Sequence, residues 1–113
     1  MESRAILRYN RQSPYKVRKV LNAVRGRNVG SAISYLTFSP EKASVAIEKT
    51  IRSAVANLMQ NENSIDVDPD TLKIKEAYVN QGPVMKRFRA ASMGRASRLR
   101  RPSCHLTIIL TTE

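Results

Sequence analysis

The stretch "SPEKASVAIEKTIRSAVANL", residues 39–58, carries the strongest periodic signal in the chain. That signal places small and apolar residues on one face of an α-helix for four turns. Ser39 and Pro40 mark the start, and Glu41 and Glu48 fall in the N-terminal half, where the helix dipole favours acids. We therefore predict the central core helix here, with a buried face made of Ala43, Ala46, Ile47, Thr50, Ile51, Ala54, Val55 and Leu58.

Two shorter helices are predicted before this one. "SPYKVRKVLNAVRG", residues 13–26, offers Ser13 as N-cap, Pro14 at the first helical position and Gly26 as the stop. Its apolar face carries Val17, Val20, Leu21 and Val24, and its opposite face carries Lys16, Arg18, Lys19, Asn22 and Arg25. The second helix lies in "NVGSAISYLTF", residues 28–38, with its apolar spacing at Val29, Ala32, Ile33 and Leu36.

Three segments alternate between two kinds of side chain, which is the pattern of β-strands. "SRAILRY", residues 3–9, sets Ala5, Leu7 and Tyr9 against Arg4, Ile6 and Arg8. "TLKIKEAYVN", residues 71–80, has Leu72, Ile74 and Tyr78 at strand spacing. "CHLTIILTT", residues 104–112, sets Cys104, Leu106, Ile108 and Leu110 against His105, Thr107, Ile109 and Thr111.

A strongly basic segment, "GPVMKRFRAASMGRASRLRRPSC", joins the last two of these strands. Residues 82–104 contain seven bases and no acid: Lys86, Arg87, Arg89, Arg95, Arg98, Arg100 and Arg101. Because it connects strands that are neighbours in sequence, we predict an antiparallel hairpin about 30 Å long, at ~3.3 Å per residue. Gly94 near its middle suits a turn that needs a positive φ. A free two-stranded ribbon is marginal in water, so a ribbon this basic is expected to need phosphates around it.

Charge and length narrow the class of protein. The 113 residues fit one domain, which we divide into a globular part, 1–81 and 103–113, and the basic hairpin, 82–102. A net charge of +11 indicates a polyanionic partner, either nucleic acid or an anionic membrane surface. No apolar run is long enough to span a membrane, and the N-terminus lacks the apolar block of a signal peptide. The single cysteine suits a reducing cytoplasm.

A catalytic or metal site is not predicted. His105 is the only histidine, and on a strand it points away from its neighbour Cys104, so the two cannot act as a nucleophile–base pair. One Cys and one His fall short of a metal site. The alternating acids of 66–70 lack the glycine and terminal Glu of a calcium loop. We therefore expect no enzyme activity, metal or cofactor, and His105 either packs on the surface or reaches a phosphate or base.

Three kinds of polyanion binder remain to be compared. A duplex-DNA binder could use the first helix in a major groove, but its side chains suit phosphate contacts and the hairpin is too long for one groove. A membrane-surface protein needs bulky apolar and aromatic residues at the interface, and this chain has no Trp. A structural RNA binder fits best, since arginine suits both bidentate phosphate contacts and stacking on bases.

Five short motifs then point to a family. "SPYKVRKV", "VRGRNV", "SAVAN", "GPVMKR" and "GRASR" occur in that order, and with them nearly the whole chain resembles the large-subunit ribosomal protein family number twenty-two, bacterial or plastid type. The resemblance implies an α+β fold, in which three helices pack on a three-stranded antiparallel sheet with a long protruding β-hairpin. It also implies location on the ribosome, cytoplasmic or in the plastid stroma if the chain is organellar.

The resemblance further implies partners and sites. The partners would be large-subunit rRNA, neighbouring large-subunit proteins and the nascent polypeptide in the exit tunnel, with no membrane, no DNA and a monomer outside the ribosome. The family also assists assembly of the subunit. Matching motifs and the basic regions together predict these RNA-binding residues: Arg4, Arg8, Arg11, Ser13, Lys16, Arg18, Lys19, Arg25, Lys86, Arg87, Arg89, Arg95, Arg98, Arg100, Arg101 and His105. The predicted tunnel-lining tip is Arg89, Ala90, Ala91, Ser92, Met93 and Gly94, and here the sequence departs from the family's usual Pro-Arg-Ala run.

Overall fold

A computed structural model describes residues 2–60, 71–90, 94 and 96–111, and of 87–90 and 96–100 it describes the backbone alone. The described residues form, in order, β1 (Glu2–Asn10), α1 (Pro14–Val24), α2 (Val29–Phe38), α3 (Ala43–Met59), β2 (Lys73–Gln81), β3 (Met85–Ala90), β4 (Ala96–Arg101) and β5 (Cys104–Thr111). Strands β1, β5 and β2 pair antiparallel in that order, and β3 pairs with β4. The predicted α+β class, with three helices and a three-stranded antiparallel sheet, is confirmed.

Helix α3 is the central core helix, as its periodicity predicts. It packs against α1, α2, β1 and β5, and its predicted inner face is buried or half-buried throughout. The helix begins later than predicted, however, with Lys42 as N-cap, so Glu41 lies outside it. The reason is a local turn in which the Glu41 N–H donates to the Ser39 hydroxyl at 3.3 Å. Ser3 Oγ ties β1 to the helix by donating to the Ala54 carbonyl at 2.6 Å.

Glu48 stays inside the helix, as predicted, and is held by two partners. Its Oε1 accepts from Arg52 Nη2 at 2.9 Å one turn later and from Thr37 Oγ1 on α2 at 3.1 Å. The hydrogen bond from Arg52 is the main cause that holds the pKa of Glu48 below its ordinary value. This carboxylate therefore links α3 to α2 at the protein surface.

Helices α1 and α2 also follow their predicted patterns. Ser13 is the N-cap of α1 and Pro14 its first residue, and Gly26 has a φ of +80° just beyond the helix end. The connection between the helices then joins the sheet. The Val29 N–H donates to the Leu72 carbonyl at 2.8 Å, and the Ile74 N–H donates to the Arg27 carbonyl at 3.1 Å. The start of β2, an edge strand, is covered by this connection.

The sheet buries one face under the helices. Cys104, Leu106, Ile108 and Leu110 of β5 are fully buried, as predicted. Two predicted inward residues face outward instead: Tyr9 is 65% exposed and Tyr78 is 40% exposed. Both errors come from bulges, which shift the alternation of a strand by one residue. One lies between Leu7 and Asn10, where Tyr9 has a φ of +56°, and the other lies between Ile74 and Glu76.

The hairpin extends from the ends of β2 and β5, which pair with each other. A short interruption, residues 82–84 and 102–103, separates the two sheets; we call it the junction. It contains Pro83 and Pro102, which lack the N–H that a ladder requires. Two bonds still bridge it: the Gly82 N–H donates to the Ser103 carbonyl at 2.9 Å, and Ser103 Oγ donates to the Pro83 carbonyl at 2.6 Å. The hairpin therefore leaves the sheet along a defined path.

The hairpin pairs antiparallel and has a positive φ at Gly94, as the sequence predicts. β3 and β4 pair from Met85 opposite Arg101 to Ala90 opposite Ala96, and Gly94 has a φ of +71°. The protein measures 65 × 26 × 16 Å, with a radius of gyration of 17.2 Å. A compact domain of this length would have a radius of about 13 Å. The molecule is thus elongated, as a packed body with a projecting hairpin would be.

Substitution of Ile51 tests the central role of α3. Ile51 is fully buried, so Ile51→Ala should lower the free energy of unfolding by about 3 kcal/mol through lost burial and a cavity. Val45 on the same helix is 56% exposed, and Val45→Ala should change it by less than about 0.5 kcal/mol. Chemical denaturation of both variants gives the two values. Equal losses would contradict the packing described for α3.

Candidate nucleic-acid interface

Basic side chains converge where the hairpin leaves the body. A cavity of about 670 Å³, which we call the junction cradle, opens between the N-terminus of α1, the N-terminus of α3 and the root of the hairpin. Its bases come from the loop before α1, from α1, from the start of α3 and from β4, and they are Arg11, Lys16, Lys42 and Arg101. Its other lining residues are Gln12, Ser13, Glu41, Ala43, Met85 and Pro102. The cradle therefore presents four cations around one concave surface.

The junction cradle is also electropositive because of the helix that borders it. Ser13 caps α1 by position, but its side chain makes no capping hydrogen bond, and the first turn contains no acid. The partial positive charge of the α1 N-terminus is thus added to the charge of the side chains. Glu41 is the one acid among the described residues that line the cradle, and its Oε1 lies 3.9 Å from Lys19 Nζ, so part of its charge is already offset. The net effect favours an anion such as phosphate.

A second groove lies on the other side of the α1 N-terminus. Its volume is about 330 Å³, and it shares Ser13 and Pro102 with the junction cradle. Tyr15 lines it with 78% of its surface exposed, and the guanidinium carbon of Arg18 lies 5.8 Å from the Tyr15 ring centroid. An exposed aromatic ring beside a guanidinium is a surface on which bases can stack. The hairpin root is thus bordered on both sides by surfaces suited to RNA.

Two predicted RNA-binding arginines make structural hydrogen bonds within the protein. Arg18 Nη2 donates to the Val79 carbonyl at 2.8 Å. Arg25 donates to the Ala77 carbonyl from Nε at 3.1 Å and from Nη2 at 2.7 Å. Ala77 and Val79 belong to the edge strand β2, so the two guanidinium groups cover carbonyls that would otherwise be open at the edge of the sheet. The basic stripe of α1 therefore helps to hold the sheet as well as to present charge.

The hairpin register distributes its basic positions over both faces. Lys86 pairs with Arg100, and cross-strand partners share a face of a ribbon. Position 98 falls on that same face, whereas positions 87, 89 and 101 alternate onto the other. Each face of the ribbon thus has three basic positions. A hairpin built this way has no uncharged face to lay against a protein body, and it suits a partner that surrounds it with phosphates.

The remaining predicted residues lie on the surface of the body. Arg4 and Arg8 are exposed on β1, on the sheet face away from the helices, and Lys19 is exposed on α1. His105 is half-buried: its Nδ1 accepts the Tyr9 backbone N–H at 3.0 Å, and the two rings meet edge to face with centroids 4.9 Å apart. These contacts fit the packed alternative for His105. A contact with phosphate or base stays a prediction.

Part of the predicted site lies outside the described residues. These positions are Ala91, Ser92, Met93 and Arg95. The acids of 66–70, for which no site is predicted, also lie outside the described residues. For Arg87, Arg89, Ala90, Arg98 and Arg100 the strand register alone is described. Lys42 was missed by the sequence analysis because it lies in residues 41–76, a nearly neutral part of the chain with seven acids and five bases. Only folding brings it to the hairpin root.

Chemical groups suited to catalysis do not gather in the described part of the chain. The Cys104 thiol is buried in the core, and burial raises its pKa, so it stays protonated and unreactive at neutral pH. Over the same residues, His, Cys, Asp and Glu form no cluster that could hold a metal ion. No helix found there combines the length and the apolar character needed to cross a membrane.

Comparison with known proteins gives a consistent result. A family model described as "Ribosomal protein L22p/L17e" matches residues 5–111. A protein named large ribosomal subunit protein uL22 from Clostridium kluyveri is 47% identical over 110 residues, which cover 97% of this chain and 96% of the relative. Proteins of the same name from Halothermothrix orenii and Crocosphaera subtropica are 43% and 44% identical and cover 100% and 99% of this chain, and 97% and 91% of their own lengths.

Substitution of Arg25, the C-cap of α1, and of Lys16 on α1 should distinguish bases that stabilise the fold from bases that bind a ligand. Arg25→Ala leaves the Ala77 carbonyl without its guanidinium donor, so the free energy of unfolding should fall by about 1–2 kcal/mol. Lys16→Ala removes an exposed base of the junction cradle and should change it by less than about 0.5 kcal/mol. Thermal or chemical unfolding of both variants measures the difference. If Arg25→Ala proves as stable as Lys16→Ala, its bond to β2 carries no structural role.

Proposed function

Because this chain belongs to the ribosomal protein L22p/L17e family, and is therefore a structural constituent of the large ribosomal subunit, we propose that it binds large-subunit rRNA through the junction cradle and the hairpin. Family membership also confirms the predicted resemblance and the prediction that the chain is not an enzyme. Its partners are accordingly ribosomal RNA and other ribosomal proteins. Which residues of this chain contact the RNA, and where in the subunit they do so, is part of what we propose.

The main support for this proposal is the junction cradle. Among the described residues, four cations from the loop before α1, from α1, from the start of α3 and from β4 meet at one cavity with a single, partly offset acid. Bringing like charges together costs free energy unless an anion fills the space between them. When phosphates do so, they release their condensed counterions, which drives binding. The arrangement is therefore most stable when RNA occupies the cradle.

The hairpin extends the same interaction away from the body. From Gly82 to Ala90 one arm spans about 30 Å at ~3.3 Å per residue. Basic positions on both faces suit a narrow passage lined by RNA, and the tip, Arg89–Gly94, would then lie deepest in the subunit. We propose that this tip lines the nascent-peptide exit tunnel and meets the growing polypeptide. Small residues at Ala90, Ala91, Ser92 and Gly94 would leave room for that polypeptide.

We also propose how the chain behaves before it is incorporated into the ribosome. Outside the ribosome we expect a monomer with two parts, a globular part formed by 1–81 and 103–113 and a basic hairpin formed by 82–102. The globular part has a core of its own, with Leu21, Ile47, Ile51 and Leu106 fully buried. It can therefore fold before RNA is present and offer a preformed cradle. Binding several RNA segments at cradle and hairpin would assist assembly of the subunit.

Lys42 and Lys49, both near or on α3, provide a matched test of the cradle. Each substitution removes one exposed cation, but only Lys42 lines the junction cradle. We expect Lys42→Ala to weaken binding to large-subunit rRNA several-fold and to lower the slope of log affinity against log salt by about 0.7–0.9. Lys49→Ala should leave both nearly unchanged. Filter binding or fluorescence anisotropy across a range of KCl concentrations measures both quantities.

Two controls define what would contradict this proposal. Equal losses for Lys42→Ala and Lys49→Ala would show a diffuse response to net charge, with no specific cradle. Duplex DNA and anionic lipid vesicles are the competing polyanions. If the wild-type protein binds either of them as tightly as large-subunit rRNA at the same salt, selective rRNA binding is wrong.

A further inference from the structure

A second concave surface lies on α2, away from the junction cradle. It has a volume of about 520 Å³ and is lined mainly by Arg27, Tyr35, Phe38 and the serines at 31, 34 and 39. We call it the aromatic groove. Phe38 is 87% exposed and Tyr35 is 42% exposed. Phe38 therefore contributes little to the core, and together with Tyr35 it forms an exposed aromatic surface instead of a single scattered apolar residue.

The cation of the groove is held in a fixed place. The Arg27 N–H donates to the Val24 carbonyl at 3.2 Å, and the Arg27 carbonyl accepts from the Ile74 N–H at 3.1 Å. These bonds fix the backbone of Arg27 between α1 and β2. Its guanidinium carbon then lies 5.1 Å from the ring centroid of Tyr35, within the range of a cation–π contact. A guanidinium and two aromatic rings are therefore gathered at one preformed surface.

The charge of the groove favours an anionic partner. None of the described residues that line it is acidic, and its serines supply hydroxyl groups. The acids that follow in sequence are engaged elsewhere: Glu41 lies 3.9 Å from Lys19, and Glu48 bonds to Arg52. Arg27 thus gives the groove a positive charge that no lining residue cancels. An acidic or phosphate-bearing ligand is favoured over a basic one.

The aromatic groove is separate from the junction cradle. The cradle lies at the N-terminal end of α1, whereas Arg27 follows the C-terminal end of that helix. Eleven residues of helix span about 16 Å. Of the residues that the structure describes, none lines both cavities. A ligand at the groove would therefore be a second, independent contact.

We propose that the aromatic groove is a stacking site for an unpaired RNA base; this inference rests on the proposed rRNA binding. Single-stranded RNA is recognised by stacking bases on aromatic rings and guanidinium planes, which is the combination found here. Phe38 provides the open ring, Arg27 reaches the adjoining phosphate, and the serine hydroxyls bond to the sugar or to base edges. A protein segment is the competing occupant, and the positive charge together with the hydroxyl lining argues against an ordinary apolar contact.

A single tryptophan can report the stacking directly. The chain contains no Trp, so Phe38→Trp introduces the only one, at a position where a base would stack on it. We expect large-subunit rRNA to quench its fluorescence along the same titration curve that describes binding. Ala56→Trp places a single Trp on the exposed side of α3, fourteen residues beyond Lys42, as a matched control and should show little quenching. Quenching of equal size at both positions would overturn the inference.

Affinity measurements provide the second readout. Phe38→Ala should weaken binding to large-subunit rRNA at least about fivefold, whereas Phe38→Trp should retain it, since a base–aromatic stack is lost in the first and kept in the second. Phe38→Leu keeps apolar bulk without a flat ring and should lose affinity as Phe38→Ala does. The melting temperature should stay the same in all three because Phe38 is exposed.

The outcomes separate this inference from the function on which it rests. If the wild-type protein binds rRNA and Phe38→Ala binds equally well, the stacking site is wrong and rRNA binding stands. If the wild-type protein does not bind rRNA, both are wrong. If Phe38→Trp is silent with rRNA but shifts to shorter wavelength with purified large-subunit proteins, the groove is a protein interface, which also overturns the stacking site.

Discussion

Strand β5, paired on one side with β1 and on the other with β2, is the constraint on which the rest of this structure depends. Its inner face is fully buried beneath the helices, so its register is strongly determined. A slip of one residue would turn Cys104, Leu106, Ile108 and Leu110 toward water. Because β2 and β5 flank the hairpin in sequence, the same register sets where the hairpin begins. Packing of the core therefore sets the position of the hairpin, which has little apolar surface of its own.

The basic residues of this protein serve two different purposes. Arg18 and Arg25 bond to carbonyls of the edge strand β2, where a polar group left open would invite pairing with another chain. Arg11, Lys16, Lys42 and Arg101 make the junction cradle, where their charges need an external anion. All of these residues contribute equally to the net charge, so the net charge cannot distinguish the two purposes. The distinction comes from whether a guanidinium or ammonium group finds an acceptor within the folded chain.

The local features of the fold could be predicted from the sequence, and the features that depend on distant contacts could not. Periodicity identified α1, α2 and α3, Gly26 ends α1 as predicted, and Gly94 adopts the positive φ expected of it. Tyr9 and Tyr78 were placed on the wrong face because the bulges in β1 and β2 depend on how these strands pair with β5. The place of Lys42 in the cradle could not be predicted for a similar reason, because the other bases there lie 26 to 59 residues away along the chain.

Electron cryomicroscopy of a large ribosomal subunit that carries this chain would show whether RNA fills the junction cradle and surrounds the hairpin. We expect RNA phosphates within about 4 Å of the basic groups of Arg11, Lys16, Lys42 and Arg101. We also expect RNA on both faces of the β3–β4 ribbon, with the tip at the wall of the exit tunnel. A map in which the junction cradle faces solvent and the hairpin lies outside the RNA would rule out the proposed rRNA binding.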